Sequence, residues 1–323
     1  MAGSPKKSGL LLDIEATNGT AVTPTAAANA VAIRAKNLKF KPSVGTAVRD
    51  VITGTMGNED KLPFDHTAEF TFGVELAASG TAGTAPAWGK ILRMGGFAET
   101  VTAGSRVEYT PVSSGFKSAT VFGEVNGRLE QYFYAMAALK LSFVVGEIAG
   151  LEAACKSLVS TVAAGAIGAK TFTPWQRGLA VGPVNTSKIS LGGVTYTAGV
   201  LAGGTAYDFQ SFDLDCGQDV QILALAASQT VDIYDFKPKL DLVVDLTPAQ
   251  HAQFVAGMKA GTTIGAGFTH GTVAGKKIVI HLPRCVIADI DDTMKGPIMV
   301  SKLTLEPRSS VDGLDDWVRI TSM

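Results

Sequence analysis

The sequence predicts a mostly β protein of the α+β class, an antiparallel β-sandwich or barrel with one short helix flanking each half. Three observations predict this fold. Apolar and polar residues alternate with a period of two in many short segments, which is typical of half-buried strands. Glycine is abundant, with 36 residues in a chain of 323, so turns are frequent. Helix signals are confined to one segment in each half, and runs of strands with few helices are typical of this class.

The first half is predicted to begin with an arm. Residues 1–30 are small and polar, and we expect them to order only against a partner. Alternation predicts strands over 31–40 and 68–76. Between them, residues 41–65 are interrupted by prolines and glycines and predict a long loop, which in a compact domain is usually functional. Residues 86–96, with a proline near the start and two glycines at the end, predict a short helix.

A β-hairpin is the strongest local signal in the first half. Alternating residues 119–125 and 128–134 flank Asn126-Gly127, and this dipeptide favours a two-residue turn because both turn positions need positive φ. Another strand is predicted over 139–145. Residues 153–170 are rich in Ala, Gly and Ser and predict a low-complexity bridge to the second half.

The second half repeats the order of elements. A strand over 241–246 leads into a helix over 247–261, in which Thr247 is the N-cap, Gln250 completes a capping box and Gly261 ends the helix. Further strands are predicted over 277–282, 298–305 and 317–320. The chain therefore divides into an arm (1–30), a first half (31–170) and a second half (171–323), and the repeated order indicates an internal duplication.

Composition excludes several classes of function. Charged residues make up 18% of the chain and the formal net charge is -1, whereas soluble domains average about 25% charged residues. So few charges predict that part of the surface is buried in an assembly. A dedicated nucleic-acid binder would be basic. The longest apolar run is far shorter than the ~20 residues needed to cross a bilayer, so no membrane association is expected.

Catalytic and metal-binding motifs are missing from the sequence. The four histidines lack metal-ligand spacing, and no phosphate-binding loop or serine-hydrolase elbow is present. Asp289, Asp291 and Asp292 lack the glycine of a calcium loop and predict a solvated acidic turn. The three cysteines are too widely spaced for a disulfide framework and are interpreted as reduced core thiols. We therefore predict a protein that is not an enzyme and needs no cofactor.

Residues 86–101 and 107–114 resemble the tail tube (major tail) proteins of long-tailed, siphovirus-type bacteriophages. In that family a short helix with Trp-Gly and a Gly-Phe pair precedes a Tyr-x-Pro-x-Ser strand, as at Trp88-Gly89, Gly96-Phe97 and 109–113 here, and a hairpin with a glycine turn follows. The family often has Asp before the hairpin glycine, where this chain has Asn126. The similarity extends through 192–193, 211–215 and 235–238 to the C-terminal strands.

The resemblance implies a structural virion protein of the tail, made and assembled in the host cytoplasm. Such proteins stack as rings into a hollow tube for genome delivery, with lumen strands that continue between subunits. Implied partners are other copies of the chain, the tape measure protein, the tail tip and tail terminator proteins, and passing DNA without specific binding. Single-domain relatives form hexameric rings, so a duplicated chain implies a trimer with pseudo-sixfold symmetry, and a hexamer is the alternative.

Several residues are candidates for roles in such a tube. The hairpin 119–134, with its turn at Asn126 and Gly127, and the strand 139–145 are expected to line the lumen. Acidic residues there would keep DNA from adhering, and the candidates are Glu124, Glu130 and Glu147. The alternative interpretation of each is an exposed polar position on a strand. The loop 41–65 is expected to join rings, as is the arm at the N-terminus; the candidate loop residues are Lys41, Pro42, Asp50, Asn58, Asp60 and Pro63.

An alternative function is binding of carbohydrate or a cell surface by a β-protein. That function needs exposed aromatic platforms. The three tryptophans, Trp88, Trp175 and Trp317, are scattered singly, which is more typical of core anchors.

Overall fold

The computed structural model describes residues 8–25, 31–52, 56–168, 170–295 and 298–323. In these residues the chain is mostly β, as predicted, with two helices, α1 (Gly89–Met94) and α2 (Pro248–Ala260). Neither is long and apolar enough to span a membrane. The strands are β1 (Gly9–Ile14), β2 (Val31–Ile33), β3 (Lys36–Arg49), β4 (Asp60–Glu75), β5 (Phe97–Thr102), β6 (Arg106–Pro111), β7 (Ala119–Val125), β8 (Arg128–Val144), β9 (Gly150–Ala164), β10 (Ile189–Gly192), β11 (Thr195–Thr197), β12 (Val200–Ala202), β13 (Thr205–Tyr207), β14 (Phe209–Asp215), β15 (Gln218–Leu225), β16 (Ser228–Phe236), β17 (Lys239–Val244), β18 (Thr263–His270), β19 (Ile278–Lys295), β20 (Ile298–Arg308) and β21 (Arg319–Ser322).

Eight of these strands form one continuous antiparallel layer. Their spatial order is β3-β4-β9-β8-β14-β17-β20-β19. The first four come from the first half of the chain and the last four from the second half. Along the strands, residues such as Phe70, Phe72 and Val74 alternate with exposed ones and are buried on one face. This period of two directs one face of the layer to the core and leaves the other exposed.

The two halves have the same strand order. In the first half the neighbours run β2-β1-β7-β8-β9-β4-β3, and in the second half they run β13-β10-β18-β19-β20-β17-β14, antiparallel throughout. In each half a helix follows the strand that corresponds to β4 or β17. The halves are joined directly, because β8 pairs with β14 and β6 pairs with β21.

One hydrophobic core extends across both halves. The largest buried cluster includes Trp88 and Phe143 from the first half and Phe212 and Phe268 from the second. The rings of Phe143 and Phe268 meet edge to face, with centroids 5.0 Å apart. A hairpin of β15 and β16 packs on β8 and buries a smaller cluster around Met136. Because the core is shared, the two halves stabilise each other.

The two predicted helices are present. In α1 the residues Ile91, Leu92 and Met94 are buried. Helix α2 has the expected ends: Thr247 accepts from the Gln250 backbone in a capping box, and Gly261 takes the left-handed conformation with φ of 65°. These local signals were sufficient because they act through the backbone of the segment itself.

Two segments predicted to be irregular are strands. Much of the predicted loop 41–65 belongs to β3 and β4, which form a long two-stranded ribbon. Pro42 is tolerated because β3 pairs with β4 on one side and has a free edge on the other, and Pro63 is tolerated because it precedes Thr67, the residue from which β4 gains its second neighbour, β9. The predicted bridge 153–170 is wrong for 153–164, which belong to β9, where small residues such as Ala153 alternate into the core.

The predicted arm and acidic turn also differ from the structure. Residues 9–14 form β1, a strand between β2 and β7 in which Leu10, Leu11 and Leu12 are buried. This part of the arm is therefore ordered by its own chain, while 1–7 and 26–30 lie outside the described residues. Asp289, Asp291 and Asp292 belong to strand β19 and not to a turn.

Candidate assembly surfaces

The two outermost strands of the eight-stranded layer have unpaired outer edges in the described part of the chain. Among the described strands, β3 pairs with β4 alone. Strand β19 pairs with β18 as far as Val286, and from Ile287 onward it pairs with β20 alone. An open edge offers a row of unpaired backbone groups to another chain, and soluble proteins usually cover or block such edges. These edges are therefore candidate surfaces for assembly.

The exposed face of the layer is rich in charge near the junction of the halves. The Ser142 hydroxyl donates to Asp213 at 2.6 Å across the β8–β14 ladder. Asp241 accepts from the Thr304 hydroxyl at 3.0 Å and lies 3.4 Å from the Lys302 ammonium. Burial alone would raise the pKa of Asp241, but these hydrogen bonds and the nearby lysines outweigh it and lower the pKa. Asp241 therefore stays ionised on this face.

The three acidic residues predicted from the sequence to line the lumen do not lie together. Glu124 is near the β7–β8 turn and pairs with Lys170 at 3.0 Å. Glu147 is exposed at the opposite end of β8. Glu130 is fully buried, where it binds the Arg128 guanidinium and the Tyr132 hydroxyl. A side chain with no solvent exposure cannot line a channel, so the prediction for Glu130 is wrong.

Sequence reasoning missed the acids on the exposed face beside the half junction. Asp213 and Asp215 alternate with the buried Phe212 and Leu214, a period-two pattern that places both carboxylates on the exposed side. This signal was present in the sequence. What the sequence could not show is that β14 lies beside β8, which brings Asp215 directly opposite Lys140.

The turn residues Asn126 and Gly127 connect β7 and β8, with Val125 opposite Arg128. Their φ angles are 56° and 74°. Both lie in the left-handed region that a two-residue hairpin turn requires.

The ribbon of β3 and β4 carries the six candidate ring-joining residues. Lys41 and Pro42 lie on β3, Asp60 and Pro63 lie on β4, and Asp50 and Asn58 lie toward the tip. Lys41 pairs loosely with Glu69 at 3.6 Å. Large apolar side chains are exposed on the ribbon, at Val44, Val48, Leu62 and Phe64, and between its two strands, at Val51, Ile52 and Met56. So many exposed apolar groups on one narrow element indicate a contact surface.

The described residues contain no group of three or more His, Cys, Asp or Glu side chains that could hold a metal ion. All three cysteines are buried as free thiols, and burial raises their pKa values. The tryptophans Trp88, Trp175 and Trp317 are also buried, as expected for core anchors. The aromatic platform that a carbohydrate-binding face would need is therefore not supplied by tryptophan.

Taken together, the described residues form a mostly β-protein with two open strand edges and an exposed apolar ribbon. A model of the phage tail tube protein family matches residues 5–307, nearly the whole chain. The chain belongs to the phage tail tube protein family. It is accordingly a structural tail tube protein and a component of the virion tail, and this family points to a protein without enzymatic activity. A comparison with curated proteins finds no match.

Proposed function

We propose that copies of this chain join into rings that stack as a hollow tail tube, the conduit through which the phage genome enters the host. The observation that carries the proposal is the eight-stranded layer, in which two four-strand units have the same order and one unpaired edge remains at each end. A head-to-tail contact between identical subunits gives a ring when its rotation closes. Closure removes both open edges.

The repeated strand order supports three chains per ring. Each half then acts as one tube unit, as an internal duplication would require, and three chains give pseudo-sixfold symmetry. A ring of six chains is the alternative. Barrels of about 16 to 18 strands already enclose an aqueous channel. Three copies of an eight-stranded layer exceed that number and leave a wide lumen.

The exposed face of the layer is our candidate for the lumen wall. It includes the strand 139–145 and carries Asp213, Asp215 and Asp241 beside the half junction. These carboxylates offset the positive charge of the neighbouring Lys140 and Lys302, so that the face offers passing DNA no basic patch to which it could adhere. The hairpin 119–134, with Glu124, and the exposed Glu147 remain candidates for the two ends of this wall.

The ribbon of β3 and β4 is our candidate for the contact between stacked rings. Its counterpart in the second half, the β15–β16 hairpin between β14 and β17, folds onto β8 and buries Val220, Val231 and Ile233. The ribbon instead keeps its large apolar side chains exposed. Burial of these side chains against the next ring would remove them from water. The N-terminal residues before β1 are a second candidate for this contact.

Assembly in the virion would involve the partners that the family implies. These are the tape measure protein inside the tube and the tail tip and tail terminator proteins at its ends, with assembly in the host cytoplasm. Passing DNA would be accommodated without specific binding.

Negative-stain electron microscopy of the purified chain over a range of concentrations tests the proposal. We expect rings and stacked tubes of uniform diameter, whose end views give the symmetry. Particles that remain monomeric at every concentration would contradict self-assembly. If such particles also bound glycans, the alternative of a carbohydrate-binding protein would replace the proposal.

A further inference from the structure

We infer that the ring contact is a β-ladder between β3 of one copy and β19 of the next copy, held by the pairs Lys36–Asp291 and Lys39–Asp289. The inference rests on the proposed ring assembly and specifies its interface. It follows from the repeat of strand order, because the junction between the two halves, β8 with β14, gives a template for a contact between chains. In that template β19 replaces β8 and β3 replaces β14.

We align the two halves on one buried pair of residues in each half. Val74 of β4 lies opposite Leu151 of β9, and Leu242 of β17 lies opposite Leu303 of β20. All four side chains are in the core. On its other side, Leu303 pairs with Ile290 of β19. Leu151 likewise pairs with Leu141 of β8, so Leu141 corresponds to Ile290.

The residues on either side of Leu141 and Ile290 then correspond as well. Lys140 corresponds to Asp289, and Ser142 corresponds to Asp291. Gly73 of β4 and Asp241 of β17 also correspond, because each precedes an aligned buried residue. Gly73 pairs with Lys36 and Asp241 pairs with Asp213, so Lys36 of β3 corresponds to Asp213 of β14.

One more pair extends the correspondence along the strand. In the same alignment Thr71 of β4 corresponds to Lys239 of β17. Thr71 pairs with Lys39 and Lys239 pairs with Asp215, so Lys39 corresponds to Asp215. The register of β3 shifts between Lys36 and Lys39, and the partly buried Leu38 occupies the core-facing position that Leu214 has in the second half.

The internal junction then predicts the contacts between chains. Inside the chain, Asp213 is opposite Ser142 and Asp215 is opposite Lys140. Transferred to the outer edges, these positions become Lys36 opposite Asp291 and Lys39 opposite Asp289. The buried pair of Leu214 with Leu141 becomes Leu38 with Ile290, which both already pack against the core.

Charge supports this register. Lys36, Lys39, Asp289 and Asp291 are all exposed. Lys36 pairs with Glu75 of its own chain at 3.1 Å, with half of its side chain still exposed. The Asp289 carboxylate accepts from the Ile290 backbone at 2.9 Å and has capacity for a second partner. Opposite charges on facing strands stabilise a ladder.

Charge also disfavours the wrong pairing. Two β3 edges together would bring lysines against lysines, and two β19 edges would bring aspartates against aspartates. Like charges directly opposite each other destabilise a ladder. The edges therefore favour a head-to-tail contact, which generates a ring, over a twofold dimer.

Cysteine cross-linking tests the register. Facing residues of an antiparallel ladder have Cβ atoms about 4.5–5.5 Å apart, close enough for a disulfide after a small adjustment. We expect K36C/D291C to form disulfides between chains under mild oxidation, and the largest covalent species counts the chains in a ring. The matched control K41C/D291C, displaced along β3, should cross-link far less. The three native cysteines are buried and do not compete.

Charge reversal tests the contribution of the Lys36–Asp291 and Lys39–Asp289 pairs to the contact. K36D/K39D and D289K/D291K should each raise the concentration needed for rings by about tenfold or more, which corresponds to about 1.4 kcal/mol. The variant with all four substitutions restores opposite charges and should assemble again. Reversal of an exposed lysine away from both edges, K188D, serves as the control and should assemble as the wild type does.

The outcomes separate this inference from the proposed function. Rings of the wild type without preferential K36C/D291C cross-linking would overturn the interface and leave the tail tube assembly intact. Assembly by either double charge-reversal variant at the wild-type concentration would also overturn the assigned pairs. Absence of wild-type rings at every concentration would overturn both the interface and the proposed ring assembly.

Discussion

Leu141 of β8 and Leu214 of β14 lie directly opposite each other, fully buried, in the ladder that joins the two halves of the chain. The same ladder carries the hydrogen bond from Ser142 to Asp213 on its exposed face. The halves thus share a core on one side of the sheet and a polar contact on the other. We therefore expect the two halves to unfold together.

Replacement of Leu141 by Ala tests this coupling. A buried leucine replaced by alanine lowers the free energy of unfolding by about 2–5 kcal/mol, through lost burial and the cavity left behind. We expect one cooperative transition in urea, shifted to lower denaturant and coincident by fluorescence and circular dichroism. Lys140→Ala, whose side chain is exposed on the same strand, should change the stability by less than about 1 kcal/mol. Two separate transitions in the wild type would contradict a shared core.

Shortening of the ribbon tests its role between rings. Deletion of residues 45–65 with an Asn-Gly turn between Val44 and His66 keeps the paired ends of β3 and β4, since β9 supports β4 from Thr67 onward. We expect folded subunits that form rings but do not stack, seen by electron microscopy. An Asn-Gly replacement of Ala226-Ala227, the tip of the β15–β16 hairpin, is the control and should leave stacking unchanged. Tubes of normal length from the shortened chain would contradict the ribbon's role.

The cysteines give a test of core integrity. Burial raises the pKa of all three thiols, that of Cys285 to about 12, and the thiolate is the reactive form. We expect no reaction with a thiol reagent at pH 8 in the folded protein and three equivalents after denaturation. Rapid labelling of Cys155, Cys216 or Cys285 in the folded chain would show that the segment around that cysteine opens to solvent.

Elements with local signals could be predicted from the sequence. The turn chemistry of Asn126-Gly127 and the caps of α2 depend only on nearby backbone, and both segments form the corresponding structures. Strand β9 was missed because its small residues resemble a linker in composition, although they alternate into the core. The prolines of the ribbon predicted a loop because proline is rare in strands. A strand tolerates proline where its edge is free, and the sequence does not show which edges are free.

Long-range neighbours could not be predicted in the same way. Nothing near Asp215 indicates that β8 lies beside it, since the pairing joins residues far apart in the chain. The burial of Glu130 likewise depends on Tyr132 and Arg128 folding over its carboxylate within a sheet whose order the sequence does not state. The two open edges became visible only when the order of all eight strands was known.

Two buried tyrosines predict how stability depends on alkaline pH. The Tyr109 hydroxyl donates to Glu99 at 2.7 Å, and the Tyr132 hydroxyl donates to Glu130. Burial, with the adjacent carboxylates, raises the pKa of both phenols well above the ordinary value of 10.0. A raised pKa means that the folded state holds the proton more tightly than the unfolded state. The resulting stabilisation is complete below about pH 10 and is lost as the pH rises further.

We therefore expect the urea midpoint to fall between pH 9 and pH 11.5, with part of the tyrosinate absorbance appearing only as the protein unfolds. The chain has six tyrosines, and the delayed fraction should correspond to at least these two. The variant Y109F/Y132F lacks both ionisable phenol groups and serves as the control. Its urea midpoint should fall less over the same pH interval. If all tyrosines of the wild type ionised reversibly while the circular dichroism of the folded state persisted, the two phenols would not be held neutral by the fold.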